Sequence, residues 1–563
     1  MKADRNAIAA LLAMSIASGG SYAAESDDLT LNLIDLLVQQ GVIDRKKADQ
    51  LVAQAKAKAA ACQTAAAPKS TQPAAPVAPA ASAPEPGDVR VTYVPEFVKD
   101  EIRQEVRKDL RDEVVKEVKV QAKEEKWGIP AALPEWVTRF KLSGDMRLRF
   151  ESDMFGSDNQ PNSYFDWPLV NKKGGITHVD DPFLNTTADR QRYRMRWRLA
   201  LDTQITDGLM AGVRLATSND RNPISNNQTL GQYGEQYEIA IDRAFMRYDL
   251  LDEQGRERLN LWGGRFANPW LSSDNLFDQD LSFEGAAAAL HLPIGPAPAH
   301  YHVPNPFGRQ TLNMGVSKPN QVFLTLGAFP LQEIQLESTD KWMWAAQAGV
   351  DWVFSGTTRV RGAIGYFDYN NIVARRDPLG SRINDWSAPQ FFTKGNSVAR
   401  ISNDVDTSTE PRLVGLASDF NIIDAIITVD WSGWGANHVM FTANYSDNLG
   451  FDQNEILSRT GLDIEPRTQA YQVRVDVGRP EINRFGDWNV WMAYKYLQRD
   501  SVLDAFTDSN FHLAGTDAQG WSLGVNYGIA RNTWANLRWM STAAIDGPPF
   551  DVDVLLADLN ARF

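Results

Sequence analysis

The 563-residue sequence is short of the residues most chemistry needs. It has one cysteine, Cys62, so neither an intrachain disulfide nor a thiolate metal cluster can form within it. The six histidines are scattered, and His300 and His302 sit in a proline-rich stretch rather than at metal-ligand spacing on one element. There is no glycine-rich phosphate cradle and no nucleophile elbow. No catalytic residue, metal site or cofactor is therefore expected, and the chain does not read as an enzyme. Beyond the N-terminus it has no run of about eighteen or more apolar residues, which argues against transmembrane helices. Membrane strands stay open, because they are apolar only at every second position. Positive charge is in the minority, with 57 Lys and Arg against 71 Asp and Glu, and the net charge of −14 argues against nucleic acid as a partner.

The N-terminus carries the marks of export. Lys2 and Arg5 supply positive charge, Ile8 to Ile16 is apolar, and Ser21-Tyr22-Ala23 is a small-x-small cleavage site, so residues 1–23 read as a signal peptide. Over 24–63, Leu33, Ile34, Leu37 and Val38 recur at helical spacing before Gly41. Asp44 can cap a second helix with Ala48, Leu51, Val52 and Ala55 on its apolar side, giving a helical hairpin. An Ala/Pro-rich linker covers 64–90. In 91–127, Val98, Ile102, Val106, Leu110, Val114 and Val118 recur every fourth residue between charged neighbours. That narrow seam predicts a coiled coil, here a trimeric one; each step of four advances about 40°, so a right-handed winding is expected.

From 138 to 563 the period changes to two. Phe140, Leu142, Met146, Leu148 and Phe150 share one face, with Lys141, Ser143, Asp145, Arg147 and Arg149 on the other. Next, Tyr193, Met195, Trp197, Leu199 and Leu201 oppose Arg190, Arg192, Arg194, Arg196 and Arg198. Five arginines in register repel one another and would be prohibitive against lipid, so that face belongs in a hydrated lumen. Between Lys341 and Phe354, Trp342 and Trp344 stand near one end and Trp352 and Phe354 near the other. About ten residues separate them, roughly 25 Å along a tilted strand, which is the height of an apolar band between aromatic girdles. Short links such as Thr206–Gly208 and Ala530–Asn532 alternate with long ones such as Asn370–Arg412 and Arg499–Ala518. The last residues, Leu555, Ala557, Leu559, Ala561 and Phe563, put an apolar face and a terminal aromatic on the closing strand. The fold class expected is an all-β transmembrane barrel of about sixteen antiparallel strands with an N-terminal helical and coiled-coil periplasmic extension. The pattern is weakest over Glu284–Phe329 and before Ile423.

The order of these parts, with "FKLSGDMRLRFE", "LWGGRFANPW", "FDQDLSFEG" and the terminal Phe, resembles the putative-porin family of Gram-negative outer membranes. The resemblance covers nearly the whole mature chain and rests on that order, since each string alone is weak. It implies a trimeric general diffusion channel in the outer membrane, passing small hydrophilic solutes and ions. The arginine row also resembles, in architecture only, the phosphate-selective porins, so an anion- or phosphate-selective channel is the alternative. A structural tether with a secondary pore is a third reading. The partners expected are outer-membrane lipid and lipopolysaccharide, two further copies of the chain, the barrel-assembly machinery through the strand ending in Phe563, and peptidoglycan against the stalk.

In trimeric porins the third external loop folds inward. If the fifth strand ends at Arg265, that loop is Phe266–Phe283, bringing Asp274, Asp278 and Asp280, with Glu284 entering the next strand, as a constriction. Across the lumen it would meet Arg192, Arg194, Arg196 and Arg198, together with Arg214, Arg243 and Arg247; Arg147, Arg149 and Arg190 complete the expected pore lining. Opposed acidic and basic walls create a transverse field that sets ion preference.

Overall fold

Alternation with period two, carried through segment after segment, builds one closed sheet. The structure is a computed structural model and describes residues 139–218, 222–253, 255–295, 320–334, 339–403 and 413–563. The signal peptide, helical hairpin, linker and coiled coil expected over 1–127 lie outside the described residues. Within them run β1 (Phe140–Phe155), β2 (Arg190–Thr206), β3 (Leu209–Thr217), β4 (Ile239–Leu251), β5 (Glu257–Ala267), β6 (Ser282–Pro293), β7 (Gln321–Gln332) and β8 (Lys341–Ser355). The second half comprises β9 (Thr358–Asn370), β10 (Asn421–Trp434), β11 (Asn437–Asn448), β12 (Gln469–Gly478), β13 (Trp488–Leu497), β14 (Ala518–Ala530), β15 (Thr533–Ala544) and β16 (Asp551–Arg562). Neighbours in chain order pair antiparallel. The sixteen then close as β16 pairs with β1, Leu559 standing opposite Leu148. Closure leaves no unpaired edge, which an apolar surround would not tolerate.

The outer face is the apolar one. Trp344, Val350 and Phe354 on β8, Ile364 and Tyr366 on β9, and Val473 and Val475 on β12 are exposed, while Gln347, Asp351, Arg361 and Arg474 on the same strands are buried inside. The Phe563 ring lies against Gly144, where a Cβ would overlap it, and the two residues exchange backbone hydrogen bonds of 3.0 Å. On β4 the register slips opposite Arg214 and Leu215. This bulge breaks the alternation, so that Asp242 and Arg243, adjacent in sequence, both turn inward.

Among the described residues, four long loops return into the lumen, the second (222–238) bringing buried Ile224 into the core. The third (268–281) packs Trp270, Leu271 and Phe277 against the inner faces of Phe323, Phe329, Phe367 and Ile426. Gln347 clamps it, its side chain accepting from Leu271 N and donating to Leu271 O, both at 2.9 Å. The seventh (498–517), which the sequence pattern offers only as a long outer link, is drawn inward as well. Asp278 N donates to Phe506 O and Asp508 N to Asp274 O, so the two loops form one plate. The fifth (371–420) braces the seventh: Asn396 donates to the carbonyls of Arg499 and Val502, and Lys394 donates to those of His512 and Ala514.

Candidate functional site

Because the plate fills one side of the barrel, the space left open is off-centre. A cavity of about 930 Å³ lies between the plate and the short-turn end. Among the described residues, those lining it come from β1–β5, β12–β16, the second, third and seventh loops and the C-terminus, and not from β6–β11. Eleven Lys and Arg side chains line it against seven Asp, in a chain whose net charge is −14.

The basic wall belongs to four consecutive strands. On β1, Arg149 makes a bidentate pair with Asp558 (2.7 and 2.9 Å), and Arg147 donates to Asn560 at 3.1 Å. On β2, Arg196 and Arg198 share Asp145 (2.9 and 2.7 Å) and each reaches Asp280 at 3.1 Å. Arg214 on β3 pairs with Asp242, and Arg243 on β4 donates to Ser282 at 3.2 Å. Arg247 on β4 pairs with Asp249 at 2.6 Å and lies 5.4 Å from the Trp262 ring centre. Planar guanidinium groups held in forks by fixed carboxylates keep their geometry, so this wall is pre-organised rather than a brush of free cations.

The remaining expected lining residues sit elsewhere. Arg192 and Arg194 lie toward the long-loop end and pair there with Glu151 and Asp153 of β1. Arg190 is exposed at that same end, opposite Asp153 in register.

The expected acidic set divides. Asp280 alone meets the arginine row: burial would push its carboxyl up, but Arg196, Arg198, Arg147 and Arg214 hold it well below the usual carboxylate range. Asp274 turns the other way, 3.1 Å from Lys495 of β13. Asp278 accepts from the backbone N–H groups of Asp280 and Ser509, and burial with the nearby Asp280 and Asp508 pushes its carboxyl well above the usual range. Glu284 is a correction. It stands on the outward face beside Ala286 and Ala288, paired at 2.5 Å with Arg265, its register partner, because two residues of β6 precede it and parity carries it out of the lumen.

A second charged cluster joins two loops to two strands, so no single loop of the sequence displays it. Lys495, 2% exposed, bridges Asp274 (3.1 Å) and Asp508 (3.2 Å), and Arg538 pairs with Asp508 at 2.7 Å. Buried Asp508 is held well below the usual range by Arg538 and Lys495 against the upward pull of burial. Lys495, Arg474, Arg538 and Asp558 stand at inward parity on their strands, as Asp145 does, so the period of two marks them in the sequence.

Comparison with known proteins agrees with this geometry at the level of family. The sequence model described as putative porin matches residues 27–563. Among solved structures, the chain is similar to OprB of Pseudomonas putida at high pH (12% identity, TM-score 0.41, covering 78% of this chain and 97% of that one). It is also similar to the outer-membrane channel DcaP of Acinetobacter baumannii (10%, 0.37, 75% and 97%) and to Salmonella typhi OmpF in complex with daunomycin (10%, 0.38, 75% and 97%). No curated protein matches it in sequence.

Proposed function

The chain belongs to the putative porin family and is an outer-membrane channel for small solutes, and from that premise we propose that its conducting path is the off-centre cavity and that it favours anions. The observation that carries the preference is the surplus of cationic over acidic side chains along that cavity. A charged low-dielectric wall raises the local concentration of counter-ions, so the path's own charge, and not the negative total of the chain, sets which ion enters. Asp280 is the local brake, lying between Arg196 and Arg198 and reducing their field. No solute-specific cage is required by this reading, which is that of a general diffusion porin with a basic path; phosphate selectivity would demand block by phosphate in addition.

The test is the reversal potential of the purified protein in a planar bilayer under a potassium chloride gradient. A chloride-favouring potential is expected, and changing Asp274, Asp278 and Asp280 together to Asn should move it further toward anions. An unchanged potential would remove the loop acids from the path, and a cation-favouring wild type would remove the anion preference.

A homotrimer is part of the same proposal. Where other strands turn bulky rings outward, β5 and β6 turn out Gly263, Ala286 and Ala288 around the Arg265–Glu284 pair. Small residues let a second barrel approach closely, and a polar partner surface suits the ion pair better than lipid does. The mass of the assembly in mild detergent, measured by light scattering, checks the subunit number.

A further inference from the structure

The inner wall holds aromatic rings that an electrostatic sieve does not need. Trp262, Trp491 and Trp534 line the cavity, on β5, β13 and β15. Rings on the outer face serve the membrane interface; on the inner face of a hydrated path they meet water and solute instead. In a closed sheet of sixteen strands, β5 and β13 are eight apart, so Trp262 and Trp491 stand on opposite sides of the barrel. The arginine wall of β1–β4 lies on the arc between them.

Each ring is built into the wall together with a guanidinium group. Arg474 lies 3.9 Å from the Trp491 ring centre and Arg538 lies 5.4 Å from it, while Arg247 over Trp262 and Arg562 over Trp534 stand at 5.4 and 5.5 Å. Those cations are themselves fixed, Arg474 by Asp476 and Arg538 by Asp508. Gly524 on β14 clears the place for Trp491, since a Cβ there would overlap the indole. A glycine in mid-strand weakens the strand, and here it lets a ring sit close against the wall.

The same cavity contains cations with capacity to spare. Arg149, Arg196, Arg198 and Arg214 are each paired with a close carboxylate, but Arg147 comes no nearer to one than 3.7 Å, to Asp558. Arg243 Nη2 is buried and, among the described residues, has no hydrogen-bond partner. An anionic group entering the cavity would supply what these two guanidinium groups lack, while a flat apolar body would meet the tryptophans. At about 930 Å³, the cavity falls in the range, roughly 300–1,000 Å³, that encloses small organic ligands.

We propose that the cavity is a binding station for small carboxylates with a planar aromatic body, with Arg147 and Arg243 receiving the carboxylate and the inward tryptophans receiving the ring. This rests on the reading of the cavity as the conducting path, and the test separates the two. The full-length protein is placed in a planar bilayer, its ohmic current in potassium chloride is recorded, and benzoate, cyclohexanecarboxylate and acetate are added in turn. Benzoate should reduce the current at a concentration roughly tenfold below that needed for cyclohexanecarboxylate, the scale of a desolvated ring and guanidinium surface. Trp262→Leu and Trp491→Leu should each shrink that ratio without moving the acetate response, and Trp344→Leu, on the outward face, should leave the ratio as it was. Equal potency of benzoate and cyclohexanecarboxylate in a conducting wild type overturns this inference and leaves the channel intact. So does a tryptophan variant that loses benzoate and acetate responses together, since the rings would then only hold the arginines in place. Absence of any current takes down the channel reading and this one with it.

Discussion

Strands β1–β5 and β12–β16 face open space with charged side chains, whereas β6–β11 face a lumen packed with loop residues. The outward faces of the two arcs differ little: Leu148 and Val525 in one and Val350 and Ile427 in the other are all exposed and apolar. The inward faces differ in kind. One carries Arg147, Arg196, Arg214 and Arg243 open to the cavity; the other carries Phe323, Phe329, Phe367 and Ile426 under loop residues and closes its own charges in buried pairs such as Arg359 with Asp351. Lipid demands one thing of every strand, while the lumen demands of each strand whatever lies against it. The barrel is therefore uniform outside and divided inside, and the division places the path.

Lys495 is where that division is most easily broken. It lies under the plate with the carboxylates of Asp274 and Asp508 on it, so Lys495→Met would leave two acids of different loops buried against each other. Breaking a buried ion pair from one side costs about 3–5 kcal/mol. The expected outcome is release of the third and seventh loops from the wall, seen as a larger single-channel conductance and a lower unfolding temperature. Changing Asp274 to Asn in the same protein should recover part of both, since Asp508 keeps Arg538 as its partner. A Lys495→Met channel with wild-type conductance would show that the plate is held from elsewhere.

Gln347 tests the packed arc by a smaller step. Its amide satisfies both backbone groups of Leu271, and the side chain is 1% exposed. Gln347→Ala strands a buried N–H and C=O, at a cost of about 1–3 kcal/mol. The apolar contacts of Trp270 and Leu271 remain, so the loop should loosen and not leave. Current noise is expected to rise with little change in mean conductance, and a quiet trace would assign the clamp no role in holding the loop.

The outer uniformity was legible in the sequence and the inner division only in part. Parity put the arginine row, the strand ends near Thr206 and Ser355, and the terminal aromatic where they stand, because a strand's period is fixed by its backbone. The segments that read least clearly, Glu284–Phe329 and the stretch before Ile423, border or contain strands apolar on both faces, such as β7 with Val322 and Leu324 outward and Phe323 and Phe329 inward. Two apolar faces signal a strand covered on both sides, and here the third loop is the cover. Glu284 was misplaced for a related reason: the strand begins two residues earlier, at Ser282, so Glu284 is already on a strand face, and its parity is the outward one. The inward fold of the seventh loop left almost no local trace. Its contacts, Asp508 to Lys495 and Asn396 to the Arg499 and Val502 carbonyls, join residues whose nearness depends on barrel closure.

Taken per pH unit, the smallest expected effect is that of pH, and it distinguishes the brace of the seventh loop from the plate itself. Burial pulls the Lys394 ammonium down to about 7, pushes the Asp504 carboxyl up to about 7 and pushes Asp517 up to about 6. Burial, with Lys394 nearby, also holds His512 well below its ordinary value. In an unfolded chain aspartate titrates near about 3.9 and lysine near about 10.4. From about pH 4 to 6 the folded state keeps protons on Asp504 and Asp517 that the unfolded chain has released, so stability falls as pH rises. His512 opposes this, because the unfolded chain holds its proton up to about pH 6.5, but one group offsets only one of the two acids. Above about pH 7 the unfolded chain keeps a proton that folded Lys394 has lost, so stability climbs toward about pH 10. The unfolding temperature in detergent should thus pass through a minimum between about pH 6 and 7, with limbs of roughly 1 kcal/mol per pH unit. Lys394→Met should flatten the alkaline limb while leaving the acid limb in place. Loss of both limbs in that variant would mean that removing Lys394 opens the brace and ends the burial of Asp504 and Asp517, since the ammonium itself only lowers their carboxyls.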